Sequence, residues 1–220
     1  TIIGCFAVGL KPTSSKDPYA LRRATQGIIQ VVLNSKLSFD YKKLIEKSYE
    51  IFSEDKKVLE KNVIKDVTEF FKQRIINVLS EKYKKDLINY EINLENNVVE
   101  LDKKLSELLK LSQTENFEIL INLLKRVKNI VKDEKNITTD IIFELFESKE
   151  EKALLDFANK LESMENNEFS NYIEELLNNA DTINQFFDNV IINVDNEKLR
   201  TNRIALLKKL ELSIDKMINI

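Results

Sequence analysis

Residues 186–210 read FFDNVIINVDNEKLRTNRIALLKKL, and this stretch is the clearest indication of how the chain folds. It starts as a short apolar helix, is interrupted by the polar residues Asp195 and Asn196, and continues as a longer helix that carries Arg200 and Arg203. Leucine and isoleucine recur at the spacing of one helical face, which is typical of a helix packed in a bundle. The cations between them are available to an anionic partner.

Composition predicts an all-α fold for the rest of the chain. Only 3 glycines and 2 prolines occur among 220 residues, fewer than strands and tight turns usually need. The single cysteine, Cys5, permits no internal disulfide and is typical of a reducing compartment. Because histidine is absent from the sequence, most catalytic triads, zinc sites and neutral-pH general bases are excluded.

The net charge of −3 conceals an uneven distribution of charge along the chain. Residues 11–23 hold four cations and one carboxylate, and residues 125–135 hold five cations and two carboxylates. Residues 140–175 hold eleven carboxylates and three lysines. Because the basic residues are clustered, an acidic protein of this kind is compatible with a nucleic-acid partner.

The chain begins with TIIGCFAVGL, which lacks the charged region and the cleavage site of a signal peptide. These ten apolar residues are too few to cross a bilayer, so no membrane association is predicted. We interpret the segment as part of the core of a longer protein, and the chain as its C-terminal fragment.

Helical spacing of apolar residues continues along most of the chain. Asp17 and Pro18 are suited to begin a helix that extends to about Asn34, because aspartate caps helices and proline is tolerated in the first turn. Further helices are predicted near residues 40–52, 58–85, 87–94, 98–111, 116–132, 138–147, 150–164, 168–193 (with a break) and 196–218. The character of the sequence changes between about residues 95 and 115, which predicts a helical body, residues 1–105, and a C-terminal helical bundle, residues 106–220.

No pattern in the sequence predicts catalysis or metal binding. The glycines, Gly4, Gly9 and Gly27, belong to no phosphate-binding loop. Neighbouring carboxylates such as Glu150 and Glu151 are expected on solvated helix faces. Neither a catalytic residue nor a metal ligand is therefore predicted in this chain.

The first candidate site is KPTSSKDPYALRR, residues 11–23, where four cations flank a helix N-terminus and could bind phosphate. These cations are Lys11, Lys16, Arg22 and Arg23. The alternative is a capped helix start whose arginines pair with nearby carboxylates.

The second candidate site is LLKRVKNIVK, residues 123–132. One side of this helix is apolar, and Lys125, Arg126, Asn129 and Lys132 point away from it. Cations together with an amide suit contact with the phosphates and base edges of unpaired RNA, although an ordinary solvated face has the same composition.

The third candidate is the final helix. Arg203 falls on its apolar stripe, where a guanidinium needs an acceptor, and Asp188 or Asp195 is the predicted partner. Arg203 is therefore predicted to tie the last two helices together, whereas Arg200 at the edge of the stripe stays an RNA-binding candidate. The lysines on the opposite side are predicted to be free for phosphate: Lys198, Lys208, Lys209 and Lys216.

All three segments resemble one family. KPTSSKDPYALRR is similar to the KPTGSKDPFALRR stretch of the β subunit of bacterial glycyl-tRNA synthetase, with departures at Ser14 and Tyr19. KRVKNI, residues 125–130, is similar to the KRVxNI that begins that family's anticodon-binding domain. FFDNVII and LRTNRIALL resemble the FFDxVMV and LRxNRLALL of the same domain, which arginyl-tRNA synthetases also carry. Ser14 replaces a glycine, which matters if the loop needs a positive φ.

The resemblance implies a part of a cytoplasmic glycine–tRNA ligase. In that family the α subunit uses ATP, glycine and magnesium to charge the tRNA, and the β subunit binds tRNA-Gly, with its C-terminal helical domain at the anticodon, in an α2β2 assembly. No cofactor is expected in this chain.

A rival interpretation is a helical protein-interaction module that docks the α subunit and makes no contact with RNA. Reversing the charges of Lys125 and Arg126 separates the two interpretations, because only an interface role would disturb assembly with the partner.

Overall fold

The computed structural model describes residues 1–55, 60–91, 97–132, 134, 139–164 and 168–218. In these ranges the chain is helical and forms no strand beyond an isolated bridge between Asp40 and Asn97, so the all-α prediction is confirmed. The α-helices in chain order are α1 Ile2–Ala7, α2 Leu21–Ser35, α3 Tyr41–Asp55, α4 Val63–Leu79, α5 Lys85–Glu91, α6 Val98–Leu111, α7 Glu115–Lys132, α8 Lys149–Ser163, α9 Phe169–Asn178, α10 Ala180–Asn189 and α11 Glu197–Asp215.

The chain divides into two compact units, Thr1–Ser106 and Glu107–Ile220. The sequence places its own division between residues 105 and 106, and the roles that it assigns to the two parts stay predictions.

Helix α4 is the centre of the first unit and packs against α1, α2 and α3. Its apolar residues recur at every fourth position, so that they line one side of the helix. The buried members of this row are Val63, Val67, Phe71, Ile75 and Leu79. Burial of this row places the opposite side of α4 at the surface, where its charged residues lie.

Helix α2 begins at Leu21, so the predicted start at Pro18 is wrong by three residues. Residues 17–20 form a turn that the Ala20 amide closes onto the Asp17 carbonyl, and Ala20 has a left-handed φ of 53°. The Asp17 carboxylate caps the helix from four residues away, at 2.9 Å from the amide nitrogen of Leu21. Ser14 has no positive φ, so serine is compatible with the loop at this position.

Helix α11 is the centre of the second unit and packs against α7 and α8, while α10 also packs against α7 and α8. Contacts on two sides bury residues around most of the circumference of α11, which is why polar groups are buried together with its leucines. The buried residues of α11 are Leu199, Asn202, Arg203, Ile204, Ala205, Leu206, Leu207, Leu210, Ser213 and Ile214.

The predicted helix at 138–147 is wrong within the described part of that segment, which begins at residue 139. Only Phe143–Leu145 are helical, as a single 3-10 turn, and Ile142 and Phe146 on either side are extended. The expected break in the helix at 168–193 lies at Asn179, between α9 and α10.

Candidate nucleic-acid interface

Helix α7 carries the second candidate site. The predicted apolar stripe is buried at Leu120, Leu123, Leu124, Val127 and Val131. Its burial fixes the rotation of α7 and turns the predicted polar residues toward solvent: Lys125, Arg126, Asn129 and Lys132 are all exposed. At helical spacing, Lys125, Asn129 and Lys132 form one row along the helix. Within the described part of the chain, neither lysine of this row makes an ion pair.

Arg126 differs from this row because α10 holds its guanidinium in place. The guanidinium carbon lies 4.3 Å from the centre of the Phe187 ring, a cation–π contact. Its two terminal nitrogens lie 3.4 Å from Asn184 Oδ1 and 3.4 Å from Asp188 Oδ1. These are long contacts, and 44% of the side chain remains exposed. The KRV and FFD segments, 61 residues apart in the sequence, therefore meet at Arg126.

Helix α11 begins at Glu197, where the side chain of Asn196 caps the amides of Lys198 and Leu199 at 3.1 and 3.3 Å. Arg200, one turn into the helix, donates to Glu134 and, at 3.3 Å, to Asn193 Oδ1. The Arg200 side chain is 35% exposed. Arg200 therefore ties the start of α11 to Glu134. Its role as an RNA ligand stays a prediction.

Asn202 binds the extended segment that the sequence predicts to be helical. Its Oδ1 accepts from the Ile142 amide at 2.7 Å, and its Nδ2 donates to the Ile142 carbonyl at 3.0 Å. Asn202 therefore binds both main-chain groups of Ile142, and the Ile142 carbonyl also accepts from the Leu145 amide of the 3-10 turn at 3.2 Å. This pairing accounts for the extended backbone of Ile142.

We expect the substitution Asn202→Asp to release this segment. Aspartate retains the acceptor but cannot donate to the Ile142 carbonyl, and losing a buried hydrogen bond costs about 1–3 kcal/mol. Amide hydrogen exchange should become faster at residues 142–147 and unchanged in α4, which belongs to the other unit. Unchanged exchange at 142–147 would contradict the role of Asn202.

Arg203 is buried, with 6% of its side chain exposed, and ties three chain segments together. Its Nε lies 2.9 Å from Glu151 Oε1, and its Nη2 lies 2.9 Å from Glu147 Oε2. Its Nη1 donates to the Ile191 carbonyl at 2.9 Å. Every nitrogen of the guanidinium therefore has an acceptor, which is the condition for burying this charge.

The predicted partners of Arg203, Asp188 and Asp195, are wrong. Asp188 pairs with Arg126, and Asp195 is exposed without an ion pair in the part of the chain that the structure describes. The real partners lie more than 50 residues away in the sequence, and they reach Arg203 because α8 packs against α11. Arg203 is a structural tie as predicted, but between α11, the start of α8 and the loop at Ile191.

Glu151 is the carboxylate at the centre of this arrangement and is completely buried. It also completes a capping box, accepting from the Ser148 amide at 2.9 Å while Ser148 Oγ accepts from the Glu151 amide. Burial raises the pKa of Glu151, but hydrogen bonds from Arg203 and from the Glu147 and Ser148 amides outweigh burial and lower the pKa below 4.5. Glu151 is therefore held as an anion.

The outward lysines of α11 are less free than the sequence predicts. Lys208 lies 2.5 Å from Glu211, and Lys209 lies 3.0 Å from Glu162. Lys216 also approaches Glu162, at 3.7 Å. Lys198 is exposed at the start of the helix and makes no ion pair within the described residues. Because α8 supplies Glu162, only the tertiary structure reveals that pairing.

The first candidate site is also partly neutralised. Lys11 lies 2.9 Å from Glu60 and 2.8 Å from Asp66, and Arg22 donates to the Thr13 carbonyl. The other two cations of this segment, Lys16 and Arg23, are exposed.

The described ranges contain no candidate metal site and no candidate membrane span. No group of three or more metal-ligating side chains occurs there. No helix there is long and apolar enough to cross a membrane.

The sequence assigns no role to Glu147, Phe187 or Asn202, although the last two lie in the segments that resemble the family. The expectation that Glu151 lies on a solvated helix face is wrong, because this carboxylate is buried against Arg203. The Ser-x-x-Glu spacing at 148–151 is the signature of a capping box and could have indicated Glu151. The roles of Phe187 and Asn202 depend on contacts across about 60 residues, for which a single sequence carries no signal.

Comparison with known proteins gives two family matches. A model of the glycyl-tRNA synthetase beta subunit matches residues 1–93, and a model of the DALR anticodon binding domain matches residues 120–220. The second match contains Arg126, Phe187, Asn202 and Arg203.

Curated relatives match nearly the whole chain. A glycine–tRNA ligase beta subunit from Geotalea daltonii is 32% identical over 217 residues, which is 96% of this chain and 31% of the relative. Proteins with the same description from Rickettsia africae and Buchnera aphidicola are 32% identical over 222 and 227 residues. The chain spans 31–32% of the length of these relatives.

Proposed function

Because the chain belongs to the glycyl-tRNA synthetase beta subunit family, we propose that its second unit, Glu107–Ile220, binds the anticodon arm of tRNA-Gly. In the whole ligase this contact holds the tRNA while the α subunit attaches glycine with ATP and magnesium, in an α2β2 assembly. This chain contributes binding and no catalytic residue.

The row Lys125, Asn129 and Lys132 on α7 carries the proposal. Its two lysines are exposed and unpaired within the described residues, so binding phosphate breaks no internal ion pair. An amide between two cations adds a group that can both donate to and accept from a base edge. These are the contacts that single-stranded RNA recognition requires.

Arg126 supplies a stacking surface beside this row. Phe187 supports one side of the guanidinium, and its long contacts to Asn184 and Asp188 hold its orientation without burying it. Bases of unpaired RNA stack on guanidinium planes as they do on aromatic rings. We expect an anticodon base to stack on Arg126.

A binding titration tests the anticodon role directly. The full 220-residue chain is titrated with a tRNA-Gly transcript and with the same transcript carrying a different anticodon. The proposal requires tighter binding of tRNA-Gly at moderate salt. Equal affinity for both transcripts would refute recognition of the anticodon.

Charge reversal tests whether the row of polar residues on α7 binds RNA. The double substitution Lys125→Glu, Lys132→Glu should weaken tRNA binding and reduce the slope of log affinity against log salt by about 2, since each phosphate contact contributes about 0.7–0.9. The matched control is Lys152→Glu, which changes an exposed lysine on α8. If Lys152→Glu lowers the affinity for tRNA as much as the double substitution does, the effect comes from the net charge of the protein and not from a binding face on α7.

A second candidate is docking of the α subunit without RNA, and one observation favours it. Ile142, Phe143 and Ile191 are 50%, 58% and 72% exposed, although Asn202 binds the backbone of Ile142 and Arg203 binds the Ile191 carbonyl. Exposed apolar side chains on a backbone anchored by hydrogen bonds suit a protein contact. Exposed carboxylates in the same acidic stretch of sequence favour a partner segment that carries lysine or arginine.

Substituting Phe143→Ser separates the two candidates. If residues 142–143 dock the α subunit, this change lowers the affinity measured by titration with purified α subunit and leaves tRNA binding unchanged. If residues 142–143 contact RNA instead, the change weakens tRNA binding and leaves the affinity for the α subunit unchanged.

A further inference from the structure

Arg74, on α4 in the first unit, has a buried nitrogen without a partner. Its Nε is inaccessible to solvent and has no hydrogen-bond acceptor. The guanidinium carbon lies 5.4 Å from the centre of the Phe70 ring, and no carboxylate of the described residues forms an ion pair with it. A buried donor without an acceptor costs free energy, and in native proteins it commonly indicates a water or an ion.

A second arginine lies on the neighbouring helix. Helix α2 packs against α4, and Arg22 lies in the first turn of α2, where it donates to the Thr13 carbonyl. Burial lowers the pKa of Arg74, the charge of Arg22 lowers it further, and Asp17 raises it by less. The two cations are thus close enough to act on one another, and within the described residues neither forms an ion pair.

The neighbouring carboxylate is already occupied. Both oxygens of Asp17 accept main-chain amides, from Leu21 at 2.9 Å and from Arg22 at 3.0 Å. The same hydrogen bonds satisfy the N-terminal amides of α2, so the helix end is not itself the site. Lys11, another cation of the first candidate site, forms ion pairs with Glu60 and Asp66.

We propose that Arg22 and Arg74 together bind a phosphate group. Two guanidinium groups present planar sets of donors that match phosphate oxygens, and an anion between them supplies the missing acceptor and removes the repulsion between the charges. The exposed cations Lys16 and Arg23 of the same segment add to the positive potential. The site lies in the first unit and is independent of the proposed anticodon contact.

The phosphate has two possible sources with the same chemistry. One is a free phosphate ion, and the other is a phosphodiester of an RNA backbone. Either source would place a tetrahedral anion between Arg22 and Arg74. A measurement of phosphate binding therefore tests the site before the source is identified.

The experiment compares thermal unfolding of the full chain in inorganic phosphate and in chloride at equal ionic strength. Phosphate should raise the unfolding temperature of the wild type. The substitution Arg74→Met keeps the length and the apolar stem of the side chain, and should weaken phosphate binding about tenfold or more, as loss of a charge-assisted hydrogen bond predicts. Without phosphate, this variant should be at least as stable as the wild type.

Arg22→Gln provides a second variant that should lose the same response to phosphate. Arg23→Gln is the matched control, because it removes a positive charge one residue away from Arg22. The proposal is overturned if phosphate stabilises the Arg74→Met protein as much as the wild type. It is also overturned if Arg23→Gln weakens phosphate binding as strongly as the changes at Arg22 and Arg74.

Titration with a tRNA transcript then distinguishes the two sources. Weaker RNA binding by Arg74→Met, together with lost phosphate binding, assigns the site to the RNA backbone. Unchanged RNA binding with lost phosphate binding assigns it to the free ion.

Discussion

Replacing Arg203 with methionine should lower the free energy of unfolding of the second unit by about 3–5 kcal/mol, the usual cost of breaking a buried ion pair by removing one partner. The substitution leaves Glu151 completely buried without its cation. It also removes the donor to the Ile191 carbonyl and the pair with Glu147. Urea denaturation followed by circular dichroism measures the change.

The double variant Arg203→Met, Glu151→Gln is the control for this prediction. Glutamine can keep the capping box with Ser148 while removing the buried negative charge, so it should recover much of the lost stability. If the double variant is as unstable as the single one, the uncompensated charge of Glu151 is not the cause.

The same ion pair should make stability depend on pH. The pKa of Glu151 in the folded protein is below its ordinary value of 4.5. The unfolded state therefore binds more protons as the pH falls, and the contribution of the pair is complete above about pH 4.5 and is lost as the pH falls through the folded pKa. The difference in stability between the wild type and Arg203→Met should accordingly narrow below pH 4.5.

Replacing Phe186 with alanine should destabilise the second unit by about 3–5 kcal/mol, because a buried phenylalanine loses its transfer free energy and leaves a cavity. Phe186 is completely buried on α10. The matched control is the neighbouring Phe187, which is partly exposed and supports Arg126. Phe187→Ala should cost about 1 kcal/mol, near the value of an exposed cation–π contact.

Comparison of the two alanine variants tests the division of roles within the FFD segment. Phe187→Ala should also weaken tRNA binding, since Arg126 loses its support, whereas destabilisation is the main effect at Phe186. Equal destabilisation by both substitutions would show that Phe187 belongs to the core.

Much of the fold could be predicted from the sequence because helix periodicity is a local property. The apolar rows of α4 and α7 are buried where the spacing predicts. The helix predicted at 139–147 is wrong because of a non-local contact, in which a side chain from α11 binds the backbone of Ile142. The late start of α2 results from a turn that brings Asp17 to the amides of Leu21 and Arg22.

The sequence by itself determined the all-α class, the basic face of α7 and the need of Arg203 for an acceptor. Each of these follows from residue types and a 3.6-residue period within one segment. Only the tertiary structure decided which carboxylates pair with Arg203, that Glu162 of α8 pairs with Lys209, and that α2 brings Arg22 close to Arg74. The ion pairs of Arg203 and Lys209 join residues about 50 apart in the chain, and the packing of whole helices, rather than any local pattern, brings these charged groups within bonding distance.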